Sequence, residues 1–230
     1  MDDSTQALTT ETFAAEREWT VDGIPVLTAK LFLPRPAERC GRTARRIDRF
    51  YQLQGKSYLR YCEGWLFPQA AAEFRQALAG SGVLPCHRAE LTYCVTCSEC
   101  GVWSVRTQML ETAGARRTLM QRGDTWNLFT GWPIPLADCF PRHFPIRRTL
   151  LKTAEEDIRR QESSGTAAYH EAWRQELRRT YNRENFYLAP DGLRFFWQMN
   201  AVAPSAEGVP TFSLPFSDGG CRWPVPAGRS

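Results

Sequence analysis

Cys94, Cys97 and Cys100 follow one another at steps of three, with Cys86-His87 just upstream. Cys-x-x-Cys spacing suits zinc or a redox couple, because two sulfurs on a tight turn can share one metal or close on each other. A closed tetrahedral site needs two separated pairs, and a single run of three is not that. If 88–97 is a strand, Cys94 and Cys97 fall on opposite faces and cannot chelate together. Cys97 and Cys100 flank the turn that follows and can approach. Buried or incidental thiols are the reading this favours; a metal site on Cys94, Cys97 and Cys100, or a redox pair, are the alternatives.

A cysteine or serine hydrolase needs a base beside its nucleophile. The chain has three histidines, His87, His143 and His170. His87 adjoins Cys86, but neighbours on a strand point apart. His143 lies in a proline-rich loop and His170 on an expected helix. Asp138 and Asp191 sit in turns whose backbone they serve, and Glu184 precedes a strand. No carboxylate pair is set apart for acid and base work. No phosphate loop or G-x-G-x-x-G occurs. These residues predict no enzyme and no cofactor. Phe195, Phe196, Trp197, Trp126, Trp132 and Trp223 are either core or a binding surface, and inward register favours core. Phe196 shares its register with Arg194 and Gln198 and is the surface candidate.

The elements that must position these residues run through a chain of 230 residues, 43% hydrophobic. That length buries about 70% of the surface an unfolded chain exposes, so neither metal nor disulfide is needed for folding. The net charge is +4, spread over scattered arginines without an interleaved basic and aromatic platform, so nucleic acid is not an expected partner. No apolar run approaches the ~20 residues of a membrane span. Residues 1–20 are polar and acidic, without a signal-peptide core, and read as a flexible arm. Eight cysteines at irregular spacing suit a reducing compartment. The expected location is cytoplasmic, the alternative being export with the leader removed.

A first strand is expected over 24–33, ended by Pro34 and Pro36. A helical region over 43–79 follows, bent or split at Gly64 and Pro68 and stopped by Gly80. Strands over 88–97 and 102–110 flank a turn at 98–101, and 117–129 is extended. A helix over 149–161 precedes a break at Ser163-Ser164-Gly165. Thr166 is the expected cap of the next helix, carrying Tyr169, Trp173 and Leu177. A hairpin turns at Pro190-Asp191-Gly192 into an alternating strand over 193–199, with Trp197 inside. A proline-bearing loop, 203–210, leads to a last strand at 211–214.

The stretch 184–216 resembles the C-terminal signature of a bacterial domain family: a strand, a "dDGL" turn, an aromatic strand, an "APyaaG" loop and a final "fxIPy" strand. The matching residues are Asn185-Phe186-Tyr187, Asp191-Gly192-Leu193, Ala203-Pro204, Gly208 and 212–216. A second run, Trp126-Asn127-Leu128 with Thr130-Gly131, Asp138 and Phe140, is similar to the family's "WNLxTGxxixLxdxF". The family includes the extracytoplasmic part of the RsiV-like, lysozyme-sensing anti-sigma factors and the N-terminal portion of some peptidoglycan deacetylases. The resemblance implies a non-catalytic recognition or sensor-type module for a protein or cell-envelope ligand. Deacetylation in those relatives belongs to a separate domain, whose metal-binding motif is missing here.

Two family loops map onto 112–117 and 203–208. They make Thr112, Gly114, Arg116, Arg117, Pro204 and Glu207 candidate binding residues beside Phe196. The first loop departs from the family's glycine-rich "YxGGAHG", and the second lacks its tyrosine. The expected fold is α+β, a two-layer antiparallel sheet with helices packed on one face. Its divisions are a flexible arm (1–20), one domain (21–218) and a C-terminal tail (219–230). A thiol- or zinc-dependent protein, and behind it an uncharacterised hydrolase, are the functional alternatives.

Overall fold

The computed structural model describes residues 7–37, 41–80, 86–217 and 220–224. Strands β1 (Thr10–Val21) and β2 (Ile24–Pro36) form a long antiparallel hairpin. Its turn is Asp22-Gly23, with φ of 50° and 80°, the doubly positive pattern of a type I′ turn. The expected flexible arm is therefore a strand over 10–21. Asp-Gly between two extended runs carried that signal, and 1–6 lie outside the described residues.

Pro34 and Pro36 do not end β2. The Ala37 amide donates to the Thr9 carbonyl at 2.9 Å, so odd-numbered amides face β1. The proline nitrogens face the other side, where the pairing of β2 with β3 stops at Leu31. No ladder bond is lost there.

Helices α1 (Arg42–Tyr61) and α2 (Phe67–Ala79) are joined by a π-helical turn, Cys62–Leu66. Gly64 and Pro68 do not break the helix. The wider turn absorbs the donor that Pro68 lacks, and Pro68 stands in the first turn of α2. Helix α1 lies close on β2, since a Cβ at Gly55 would stand 2.9 Å from Leu33 Cδ1. Ile47, Tyr51 and Phe74 are fully buried, as are Leu27, Leu31 and Leu33. Each such side chain contributes about 1.5–3 kcal/mol through burial.

Strands β3 (His87–Glu99), β4 (Val102–Ala113), β5 (Arg116–Asn127) and β6 (Trp132–Pro133) complete a six-stranded sheet in the order β1-β2-β3-β4-β5-β6. Strands β2 and β3 run parallel, from Leu27↔His87 to Leu31↔Leu91. The sheet is thus mixed, where an antiparallel one was expected. A parallel pair needs a long crossover, and the helical region between the two strands supplies it. Strands β3 and β4 turn at Cys100-Gly101, again with two positive φ values, 50° and 75°.

Helices α3 (Ile146–Ser164) and α4 (Trp173–Arg179) precede β7 (Phe186–Ala189), β8 (Gly192–Phe196) and β9 (Thr211–Pro215). These strands make a separate antiparallel sheet with β8 in the middle. Helix α3 ends at Gly165, φ 65°, as the break predicts. Thr166 donates back to the Gln161 carbonyl at 3.3 Å. It closes α3 and does not cap α4.

Strand β8 stops at Phe196, short of Met199. Trp197 is 2% exposed, and its amide donates to the Pro210 carbonyl at 3.0 Å. It packs with Phe195 and Phe212 at ring-centre distances of 5.9 and 5.6 Å. Phe196 is equally buried, 6.2 Å from the Tyr187 ring. Both faces of β8 are covered, which removes Phe196 as a surface candidate.

The described chain forms two compact units. One comprises 9–93 with 108–118, and the other the remaining residues. Helices α1 and α2 belong to the first, α3 and α4 to the second. Two sheets, the larger of them mixed, stand where a single antiparallel sheet was expected. Within 219–230, Cys221 is buried, and the Arg222 amide donates to the Cys139 carbonyl at 2.9 Å. Among the described residues no helix is long and apolar enough to cross a membrane.

Candidate functional site

The candidate loop 112–117 is the tip of the β4–β5 hairpin. Thr112, next to the end of β4, is half-buried. Gly114 opens the turn with φ 57°, and Arg116 and Arg117 start β5, both exposed. A cavity of about 140 Å³ lies beside the tip. It is lined by Leu27, Leu66, Gln69, His87, Arg88, Glu111, Thr112, Ala113, Arg116 and Thr118. At ~30 Å³ per water it holds a few waters or one small polar group.

Charge around this cavity is organised by two carboxylates. Glu73, on α2, accepts from His87 Nε2 at 3.0 Å and forms a short ion pair with Arg116. Burial alone would raise the Glu73 carboxyl. Hydrogen bonds from Arg116 and His87, with their charges, outweigh it and hold the carboxyl below its ordinary value. Glu111 is the opposite case. Burial raises its carboxyl against the lowering effect of a hydrogen bond from Tyr61. Its Oε1 is buried without a partner. Tyr61 follows Tyr58 and precedes Cys62, where the helix widens. Burial pushes both phenols well above their ordinary range and the Cys62 thiol up to about 11.

A histidine oriented by a carboxylate is two-thirds of a nucleophilic triad. Cys86, the neighbouring thiol, has its Sγ 4.0 Å from the His87 carbonyl oxygen. What the arrangement does is tie Arg116 to Glu73, which His87 also bonds.

The cysteine run behaves as the strand pattern predicts. Cys94 is exposed, Cys97 is buried and Cys100 is exposed in the turn. Burial pushes the Cys97 thiol up to about 12. Among the described residues no group of three or more His, Cys, Asp or Glu gathers to hold a metal.

The second candidate loop contains a short 3-10 turn, Ser205–Glu207, closed by Gly208 at φ 72°. Glu207 Oε1 accepts the Ala168 amide at 3.1 Å, so it anchors its own loop. Pro204 is half-buried. Thr112, Gly114, Arg116 and Arg117 thus lie in one compact unit; Phe196, Pro204 and Glu207 lie in the other. Sequence reasoning missed Glu73, Arg88 and Glu111. Each is a lone charge on an alternating or helical pattern, and only the fold brings Arg88 and Glu111 to one cavity and Glu73 to its His87 and Arg116.

Residues 145–217 match the model of a family described as a protein of unknown function, DUF3298. That span includes α3, α4 and the 184–216 signature but not the run 126–140. The fold is similar to that of a DUF3298 family member from Bacteroides fragilis NCTC 9343. The TM-score is 0.66 at 16% identity over 93% of this chain and 92% of that one. It is also similar to that of a DUF3298 family protein from Pseudomonas aeruginosa PAO1, with a TM-score of 0.57 at 13% identity over 90% of each chain. At such identities the likeness is one of fold. No curated protein matches the chain.

Proposed function

We propose that the chain is a non-catalytic recognition or sensor-type module. It would bind a protein or cell-envelope ligand through the 112–117 hairpin tip and the cavity beside it. The observation that carries this reading is the relay His87–Glu73–Arg116, which orients a cationic side chain at the tip. Rigid presentation lowers the entropy lost on binding. The resemblance to RsiV-like sensors in 184–216 supports the same class.

The purified chain is sedimented with peptidoglycan sacculi and, separately, used to capture proteins from the native cell, each beside an Arg116→Ala/Arg117→Ala variant. Retention that falls at least tenfold in the variant is expected. Cell-wall fragments and acetylated oligosaccharides should stay intact with and without divalent metal. Equal retention of the variant would remove the tip as the site. Turnover that disappears in His87→Gln would overturn the non-catalytic reading.

A further inference from the structure

Within the other unit, the chain between 135 and 184 brings five cations to one apolar floor. A cleft of about 1080 Å³ opens beside the first two turns of α3. Leu136, Phe144, Ile146, Leu151 and Tyr181 form its apolar lining. Arg147, Arg148, Lys152, Arg178 and Arg183 surround it, against the two carboxylates of Glu155 and Glu184. Both carboxylates are engaged. Glu155 accepts Arg178 at 3.0 Å and forms an ion pair with Arg159 at 3.6 Å. Glu184 accepts Arg183 at 3.1 Å.

Arg147 is held in place: its Nη2 donates to the Arg178 carbonyl at 3.0 Å, and its guanidinium lies 5.7 Å from the Tyr181 ring centre. Arg148 has no acidic partner among the described residues. Lys152 meets only Glu156, at 3.6 Å between exposed side chains, a contact of little worth. An excess of positive charge therefore remains over apolar surface, and the positive end of the α3 dipole adds to it.

Guanidinium forks match the geometry of oxyanions. The volume lies just above the ~300–1000 Å³ usual for small-ligand sites. We infer that this cleft binds a free, small amphiphilic oxyanion. Its phosphate or carboxylate head would sit at Arg147, Arg148 and Lys152, and its apolar body against Leu136, Phe144, Ile146 and Tyr181. The inference is independent of the hairpin-tip reading, since it uses none of those residues.

Calorimetric titration of the full chain at low salt tests it with decyl phosphate below its micellar concentration. Decanoate, inorganic phosphate, the neutral octyl glucoside and an acidic peptide are the comparison arms. Decyl phosphate and decanoate should bind at least tenfold more tightly than inorganic phosphate or octyl glucoside. Arg148→Ala/Lys152→Ala should weaken decyl phosphate at least tenfold with an unchanged melting temperature. A separate Leu136→Ala variant should weaken decyl phosphate but not inorganic phosphate. Equal binding of octyl glucoside, tighter binding of the acidic peptide, or an unaffected double variant would each overturn the inference. So would retention on phosphatidylglycerol vesicles without binding of decyl phosphate, which would make the ligand a membrane surface.

Discussion

The hydroxyl of Thr96 donates to the carbonyl oxygen of Leu188 at 2.7 Å, across 92 residues of chain. The Leu188 amide in turn donates to Ser104 Oγ at 2.9 Å, and Ser104 shares a 2.9 Å hydrogen bond with Thr125. An outer strand of the small sheet thus has both backbone groups of one residue satisfied by side-chain hydroxyls. Buried backbone groups left unpaired are costly, so these hydroxyls let β7 dock side-on. Ser104→Ala should cost about 1–3 kcal/mol by stranding the Leu188 amide. Urea unfolding followed by tryptophan fluorescence reads this; a loss near zero would mean that water replaces the hydroxyl.

Gly123 permits the same docking. A Cβ there would stand 1.8 Å from the Phe186 carbonyl oxygen, and backbone cannot swing aside as a side chain can. Gly123→Ala should destabilise by about 1–3 kcal/mol or more. A variant as stable as the parent would show that β7 can move outward freely.

Phe196 ends β8, Trp197 follows it, and the two are equally buried. Trp197→Ala and Phe196→Ala should each cost about 3–5 kcal/mol in denaturant unfolding. A small loss at Phe196 alone would restore it as a surface residue.

Stability should depend on pH through Glu73. Its folded-state value is depressed, so its contribution is fully present above the unfolded value, about 4.3. That contribution is lost as pH falls through the folded value. Melting curves from neutral pH to pH ~3 should show a smaller acid loss in Glu73→Gln than in the parent. Identical curves would show that the relay does not stabilise the fold.

Thiol reactivity should separate two classes. Burial pushes Cys139 up to about 12 and Cys221 up to about 11, beside the raised Cys62 and Cys97. Thiolate, not thiol, reacts. In the native state a thiol reagent should label exposed Cys86, Cys94 and Cys100 quickly, and buried Cys62, Cys97, Cys139 and Cys221 only after unfolding. Fast labelling of Cys139 would mean that the 220–224 segment opens readily.

What the sequence determined by itself is local. The extended run 192–196, the end of α3 at Gly165 and the opposite faces of Cys94 and Cys97 follow from periodicity and single-residue conformations, which depend on near neighbours. Asp22-Gly23 was equally legible as a hairpin turn, and overlooking it left β1 as an arm. Gly192 shows where such reading stops. It serves a close approach rather than a turn angle, since a Cβ would meet the Leu214 carbonyl oxygen at 2.5 Å. Tertiary structure alone decided that β2 pairs parallel with β3, that β7 is satisfied by Thr96 and Ser104, and that Arg147, Arg178 and Tyr181 share one cleft. These partners lie tens of residues apart, and no period or turn residue encodes which distant chain a strand edge or a cation meets. Their proximity results from burying two sets of apolar faces at once, a property of the whole chain.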